Sequence, residues 1–334
     1  MRRILVSAIL SYAISAPAIA QTAAASATGA TPATAVSPAT TAPTPGYAAH
    51  RVYDTRKKRL VDFEAMAADL AKSDIVFLGE QHDDTRTHQL QAAVLEAVAR
   101  RRSGPIVLAL EMFERDVQPA VDAYLAGSIS EADFLNASRP WPNYRAYYRP
   151  MIEFARASGW PVVAGNVPRR LASVVARRGL GALDSLPATD RALVAKDLSC
   201  PRDEYWTRFK ATMGDMSSHG LQLSPEQVDQ MVWRTYEAQC VKDETMGEAV
   251  AAAHLQRGAL VVHPNGAFHS DYRFGTAERA KRRAPNARMR VVSFVPVADL
   301  DTVDGKPRRK LGDYVVFTLA TPKPPAAPAP TPAR

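Results

Sequence analysis

Cysteine is nearly absent from this chain: Cys200 and Cys240 are the only two in 334 residues. So few cannot staple a disulfide scaffold or build a Cys-rich zinc module. Long apolar runs are missing too. The run from Ile4 to Ile14 falls short of the ~20 residues a membrane-spanning helix needs. No Gly-x-Gly-x-x-Gly follows a strand pattern, and neither a phosphate-loop Gly-Lys-Ser/Thr nor a Gly-x-Ser-x-Gly elbow occurs. Those absences exclude the commonest nucleotide and serine-hydrolase signatures. Aromatic residues make up only 7%, so places where they gather carry information.

The N-terminus has the pattern of a secretory signal over residues 1–20. Arg2 and Arg3 precede the apolar run, and Ala18-Ile19-Ala20 is a small-x-small cleavage site. This predicts a periplasmic or secreted protein. No cysteine follows the run, so a bacterial lipid anchor has no attachment point. Residues 21–46 are an uncharged Ala/Thr/Pro/Ser linker, and residues 322–334 are mostly Pro and Ala. Both lack the apolar mass that offsets ordering entropy, and they read as disordered tethers. The formal charge of +8 falls to +6 when Arg2 and Arg3 leave with the leader. In an exported protein, the basic runs Arg100–Arg102, Arg282-Arg283 and Arg308–Lys310 suit a solvated surface or anionic envelope components better than nucleic acid.

Residues 47–321 remain as the folded body. Six apolar runs, at 75–79, 106–110, 161–165, 259–262, 289–295 and 314–319, are rich in Val, Ile and Leu without alternation. That composition predicts strands covered on both faces. Helical spacing lies between them, over 85–102, 143–158 and 276–284. The expectation is an α/β fold, a mainly parallel sheet flanked by helices. Residues 187–257 contain no strand pattern but several helical ones, including 225–240 and 243–256, and read as an inserted helical lid. Both cysteines fall in that insertion. In an oxidising compartment they either pair or stay as two buried thiols.

Ligands of open parallel sheets bind beyond the carboxyl ends of the strands. Those ends carry Glu80 and His82, Glu111, Asn166 and Arg169, then His263 and His269. Gly79 to His82 and Gly266 to His269 share the pattern Gly-x-x-His, in which glycine lets the chain turn out of the strand. Imidazoles and carboxylates converging from separate strands suit a divalent metal held by His82, Glu111 and His269. They equally suit metal-free acid–base catalysis by Glu80, His82, Glu111 and His269. The segment Trp141 to Pro150 concentrates Trp141, Tyr144, Tyr147 and Tyr148 with Arg145 and Arg149. It could line a flat aromatic ligand or merely pack a helix on the sheet. Met213, Met216 and His219 are residue types that can ligate haem iron, although Met more often fills a core.

The stretches IVFLGEQHDDTRTHQLQ, LALEMFERDVQ, PVVAGNVPRRL, EAQCVKDETMGEAVA and NGAFHSDYRFG occur in this order. Together they resemble the ChaN-type haem-binding uptake domain, within the wider Tiki, TraB and erythromycin-esterase group. The resemblance implies an α/β sheet with a helical lid, haem binding in iron acquisition through a tyrosine ligand, and a homodimer serving envelope uptake components. It also implies that Glu80, His82, Glu111 and His269 occupy positions that hydrolases of the wider group use, with or without metal. Tyr148 and Tyr272 are the candidate haem ligands, with Arg149 or Arg273 lowering the phenol pKa. Arg149, Arg169 and His219 complete the expected haem contacts. Two functions are therefore expected: an exported haem-binding protein, or a periplasmic metal-dependent or His/Glu-based hydrolase.

Overall fold

The computed structural model describes residues 48–214 and 224–320. His219, the leader, the 21–46 linker and the C-terminal tail lie outside the described residues. The chain begins with a hairpin, β1 (His50–Asp54) and β2 (Arg59–Val61), then α1 (Phe63–Leu70), β3 (Ile75–Glu80), α2 (Thr85–Ala99) and β4 (Ile106–Glu114). A helical excursion follows: α3 (Gln118–Leu125), α4 (Glu131–Ser138), α5 (Tyr144–Tyr147) and α6 (Arg149–Ala157). Next come β5 (Val162–Asn166), α7 (Arg169–Arg178), α8 (Ala188–Arg191), α9 (Glu204–Gly214) and α10 (Pro225–Arg257). The chain closes with β6 (Leu260–Gly266), α11 (Gly275–Arg283), β7 (Met289–Val297) and β8 (Tyr314–Leu319).

The strands form one sheet in the order β2-β1-β8-β7-β3-β6-β4-β5. From β8 to β5 every neighbouring pair is parallel, while β1 joins β8 and β2 antiparallel. All six expected strands are present. The hairpin was not expected: its Arg51, Arg59 and Leu60 are exposed, so it offers no continuous apolar run. It covers the open edge of β8, with Val52 opposite Val316.

The absence of alternation has its structural reason in β3. Val76 and Leu78 enter a core shared with Val94, Leu110 and Met151, while Ile75 and Phe77 enter the opposite core with Val107, Val250 and Ala280. Both faces are dry, so every position is apolar. Each large aliphatic or Phe side chain buried this way stabilises by roughly 1.5–3 kcal/mol.

The 187–257 region is helical throughout its described elements, but 225–240 and 243–256 belong to a single helix, α10. Ser224 and Gln227 close a capping box at its start, and Gly258, at φ 59°, ends it. No glycine or proline interrupts the turn between Cys240 and Asp243, so the helix has no cause to break there. Its C-terminal half packs against β4, β5 and β6, and against α11. Gly247 is required at that contact, since a Cβ would lie 2.7 Å from Arg279 Cβ. Among the described residues, no helix is long and apolar enough to cross a membrane.

Cys200 and Cys240 are bonded, which decides between the two expected states. The bond holds the segment before α9 onto α10. It closes a loop across 40 positions. Replacing both cysteines by serine should therefore lower the unfolding free energy by roughly 3–4 kcal/mol. Urea denaturation under non-reducing conditions measures this, and an unchanged midpoint would contradict it.

Candidate functional site

Glu80, Glu111 and Gly266 lie at the C-terminal ends of the adjacent strands β3, β4 and β6. The parallel register of β4 with β5 shifts between Leu110 and Glu114, and this irregularity frees Glu111 from the ladder. Asn166 steadies the bend, its Nδ2 donating to the Glu111 carbonyl at 3.1 Å. The Glu111 carboxylate then crosses to β6, where Oε2 accepts from the Gly266 N–H at 2.6 Å.

Beyond Gly266 a short 3-10 turn presents His269, which is only 6% exposed. Its Nδ1 donates to Asp243 Oδ1 at 2.7 Å, and its Nε2 lies 3.3 Å from Glu111 Oε1. Asp243 is fully buried in α10 and also accepts from Tyr205 Oη at 2.8 Å and Thr276 Oγ1 at 2.9 Å. Burial alone would discharge the His269 imidazole, but Glu111 and Asp243 outweigh it and push its pKa up to about 10. Burial likewise opposes the Glu111 charge. The His269 cation, then His82 and the Gly266 N–H, overcome this and hold that carboxyl below the usual carboxylate range. The result is a buried carboxylate–imidazolium–carboxylate line.

A second group stands beside it. His82 Nδ1 donates to Glu80 Oε1 at 2.9 Å. Glu80 also accepts from Gln91 Nε2 at 2.7 Å and from the Tyr148 hydroxyl. The His82 side chain is 47% exposed, and its ring packs edge-on against Trp141. Burial lowers the His82 pKa, while Glu80 and Glu111 raise it by more, for a net upward shift. A Cβ on Gly266 would lie 2.8 Å from His82 Nε2. Gly266 itself has an ordinary φ of −55°. The glycine therefore serves close approach of the imidazole, not the sharp turn expected from the sequence.

These groups form the floor of a cavity of about 810 Å³. Tyr205 and Phe209 of α9 face Phe268, Tyr272 and Phe274 across it, and Arg208 and Lys242 add two cations. Tyr272 holds a left-handed φ of 61°, fixed by its N–H donating to the Leu311 carbonyl at 2.8 Å. Such a conformation costs a tyrosine on the order of 1–3 kcal/mol. Its ring lies under the Arg208 guanidinium, 3.7 Å away. Next to it Asp271 lines the same cavity, its carboxyl pushed up to about 7 by burial.

Several expected site residues lie elsewhere. Tyr148 is 2% exposed. Burial, reinforced by Glu80, drives its phenol pKa far upward, so its oxygen is a donor to Glu80 and not an available phenolate. Arg149 pairs with Glu131 at 2.7 Å and Arg273 with Asp313 at 3.0 Å, leaving neither to lower a phenol pKa. Arg169 lines a different cavity. His263 is buried within β6, its Nδ1 donating to the Ala109 carbonyl at 2.9 Å, and burial lowers its pKa to about 4.

The divalent metal expected on His82, Glu111 and His269 is a correction. Among the described residues no group of three or more His, Cys, Asp or Glu side chains could hold an ion. The three do approach one another, but the His269 nitrogens face Asp243 and Glu111, and Glu111 is engaged by His269 and the Gly266 N–H. Asp243, Gln91, Tyr205 and Arg208 were not anticipated as site residues. Asp243 had one signal: an acid on the sheet-facing side of α10, between Cys240 and Met246, both fully buried.

A mainly parallel sheet with an aromatic-walled cavity over its carboxyl rim defines the class: an α/β fold with a candidate site at the strand ends. Residues 66–280 match the family model described as haem-binding uptake, Tiki superfamily, ChaN. The chain belongs to that family. Among solved structures, ChaN of Campylobacter jejuni, described with cofacial haem binding, is similar at 18% identity and a TM-score of 0.61. That alignment covers 81% of this chain and 97% of that one. A mutant of the erythromycin esterase EreC in its open conformation aligns at 12% identity and a TM-score of 0.41, covering 80% of this chain and 82% of that one. A search of curated proteins finds no match.

The charge on His269 has a consequence for stability. Its folded pKa stands above the ordinary 6.5, so its contribution is complete below that value and is lost as pH rises through about 10. Replacing His269 by Gln should flatten the alkaline fall of wild-type stability. Denaturant midpoints measured from neutral to alkaline pH test this; parallel curves for the two proteins would contradict the charged line.

Proposed function

We propose that this protein binds haem in the rim cavity and acts outside the cytoplasm in haem or iron uptake. Membership of the haem-binding uptake family supports this, and one observation carries it: Tyr272, strained and beneath Arg208, faces an aromatic-walled cavity. The walls suit a flat apolar macrocycle. A tyrosine oxygen suits ferric iron, and the Arg208 guanidinium stacks on the Tyr272 ring while it pairs with Glu204 at 2.9 Å. Lys242 offers a charge for a propionate. Tyr272 thus takes the ligand role in this proposal, and Tyr148 only braces Glu80. The secretory leader, a homodimer and envelope uptake partners belong to the same reading.

Titration of the purified protein with haemin tests it. Wild type should produce a shifted Soret band, and Tyr272→Phe should weaken binding by about tenfold or more and lose the phenolate-to-iron charge-transfer signature. Wild-type protein that leaves the haemin spectrum unchanged removes the proposal.

The two imidazole–carboxylate groups favour a second reading, metal-free hydrolysis in the same cavity. Glu80 orients His82 through Nδ1 and leaves Nε2 as a general acid–base. A panel of esters and peptides decides: His82→Ala should abolish any turnover seen with wild type. Equal inertness of both proteins would dispose of hydrolysis while leaving haem binding standing.

A further inference from the structure

We propose that the cavity between α7 and the 139–142 segment is a second binding site, for an amphiphilic organic dianion whose two carboxylates pair with Arg169 and Arg177. This site is independent of the haem reading. It has a volume of about 890 Å³ and lies beyond β4 and β5. Trp141 lines it, while His82, against which the Trp141 ring packs at 4.8 Å between centroids, lines the rim cavity. The two cavities are thus neighbours separated by that pair of rings.

α7 is amphipathic. Leu171, Ala172 and Val175 are buried, while Arg169, Ser173 and Arg177 recur at intervals of four on the face that lines the cavity. The other arginines of the cavity are already neutralised. Arg139 pairs with Asp116 at 2.8 Å and Glu114 at 3.1 Å, and Arg170 pairs with Asp190 at 2.8 Å. Arg169 and Arg177 have no ion pair or side-chain hydrogen bond among the described residues. Two exposed guanidiniums without a carboxylate partner, on one face of a cavity, leave room for anions, and their fork geometry matches carboxylates.

Spacing sets the ligand class. Eight residues of helix set the two arginine Cα atoms roughly 12 Å apart along the axis. A ligand with two separated carboxylates can therefore pair with each guanidinium in its own position. Pro140, Trp141, Pro142 and Met112 add apolar lining. An elongated molecule with a carboxylate at each end and a hydrocarbon or aromatic body fits both features.

Dodecanedioate is a suitable probe, with its dimethyl ester as the neutral control, read by calorimetry and tryptophan fluorescence. The dianion should bind full-length protein with a Kd in the millimolar range or tighter, and the ester should not. The double variant Arg169→Gln/Arg177→Gln changes only exposed side chains. It should keep the wild-type melting temperature and haemin titration, yet bind dodecanedioate about tenfold or more weakly. The proposal is overturned if the double variant binds as wild type does, if the diester binds equally, if pyrophosphate binds more tightly, or if dodecanedioate does not bind at millimolar concentration. Loss of haemin binding alone, with dodecanedioate binding intact, would bear on the haem reading and not on this one.

Discussion

The buried line Asp243–His269–Glu111 is the interaction on which the site depends. It joins three parts of the chain that are distant in sequence: α10, the turn after β6 and the end of β4. Burying three ionisable groups is costly unless each is paired, and removing one partner of such a set typically costs 3–5 kcal/mol. Here each charge has an opposite charge in contact and further donors around it. Thr276 and Tyr205 serve Asp243, and the Gly266 N–H serves Glu111. Glu111 therefore fixes where β6 ends, and β6 fixes the glycine over which His82 lies.

The cavity wall follows from the same residue. Tyr205 donates to Asp243, so the N-terminal turn of α9 is tied to the ion line from above. The Cys200–Cys240 bond ties the preceding segment to the same helix, one turn before Asp243. Phe209 and Arg208, further along α9, are thereby held opposite Phe268 and Tyr272. Floor and wall are thus a single construction centred on α10, although half of that helix packs as an ordinary crossover against the sheet.

The second cavity shows how one rim carries two different linings. Over β3, β6 and β4 the lining is aromatic with buried charge, whereas toward β5 it is an exposed basic stripe against Trp141 and proline. Trp141 and His82 divide them. The aromatic cluster at 141–148, read from sequence either as a ligand lining or as a helix packed on the sheet, is mainly this partition and its support. Tyr148 braces Glu80, and Tyr147 stacks on His88 at 4.2 Å.

By itself, the sequence determined the six parallel strands and the rim residues Glu80, His82, Glu111 and His269. Strands buried on both faces must be apolar throughout, and a parallel sheet must expose its loops at one end. Local pattern carries both facts. Partnership is another matter, because it depends on distances between residues far apart in the chain. Only the tertiary structure decided that His269 is a charged link and not a metal ligand, that Tyr148 is a brace, and that Tyr272 faces the cavity. It likewise placed Asp243 beneath the site and Arg169 outside it. Charge state and availability are set by what surrounds a group, and those surroundings come from α10, α9 and β4 meeting in space.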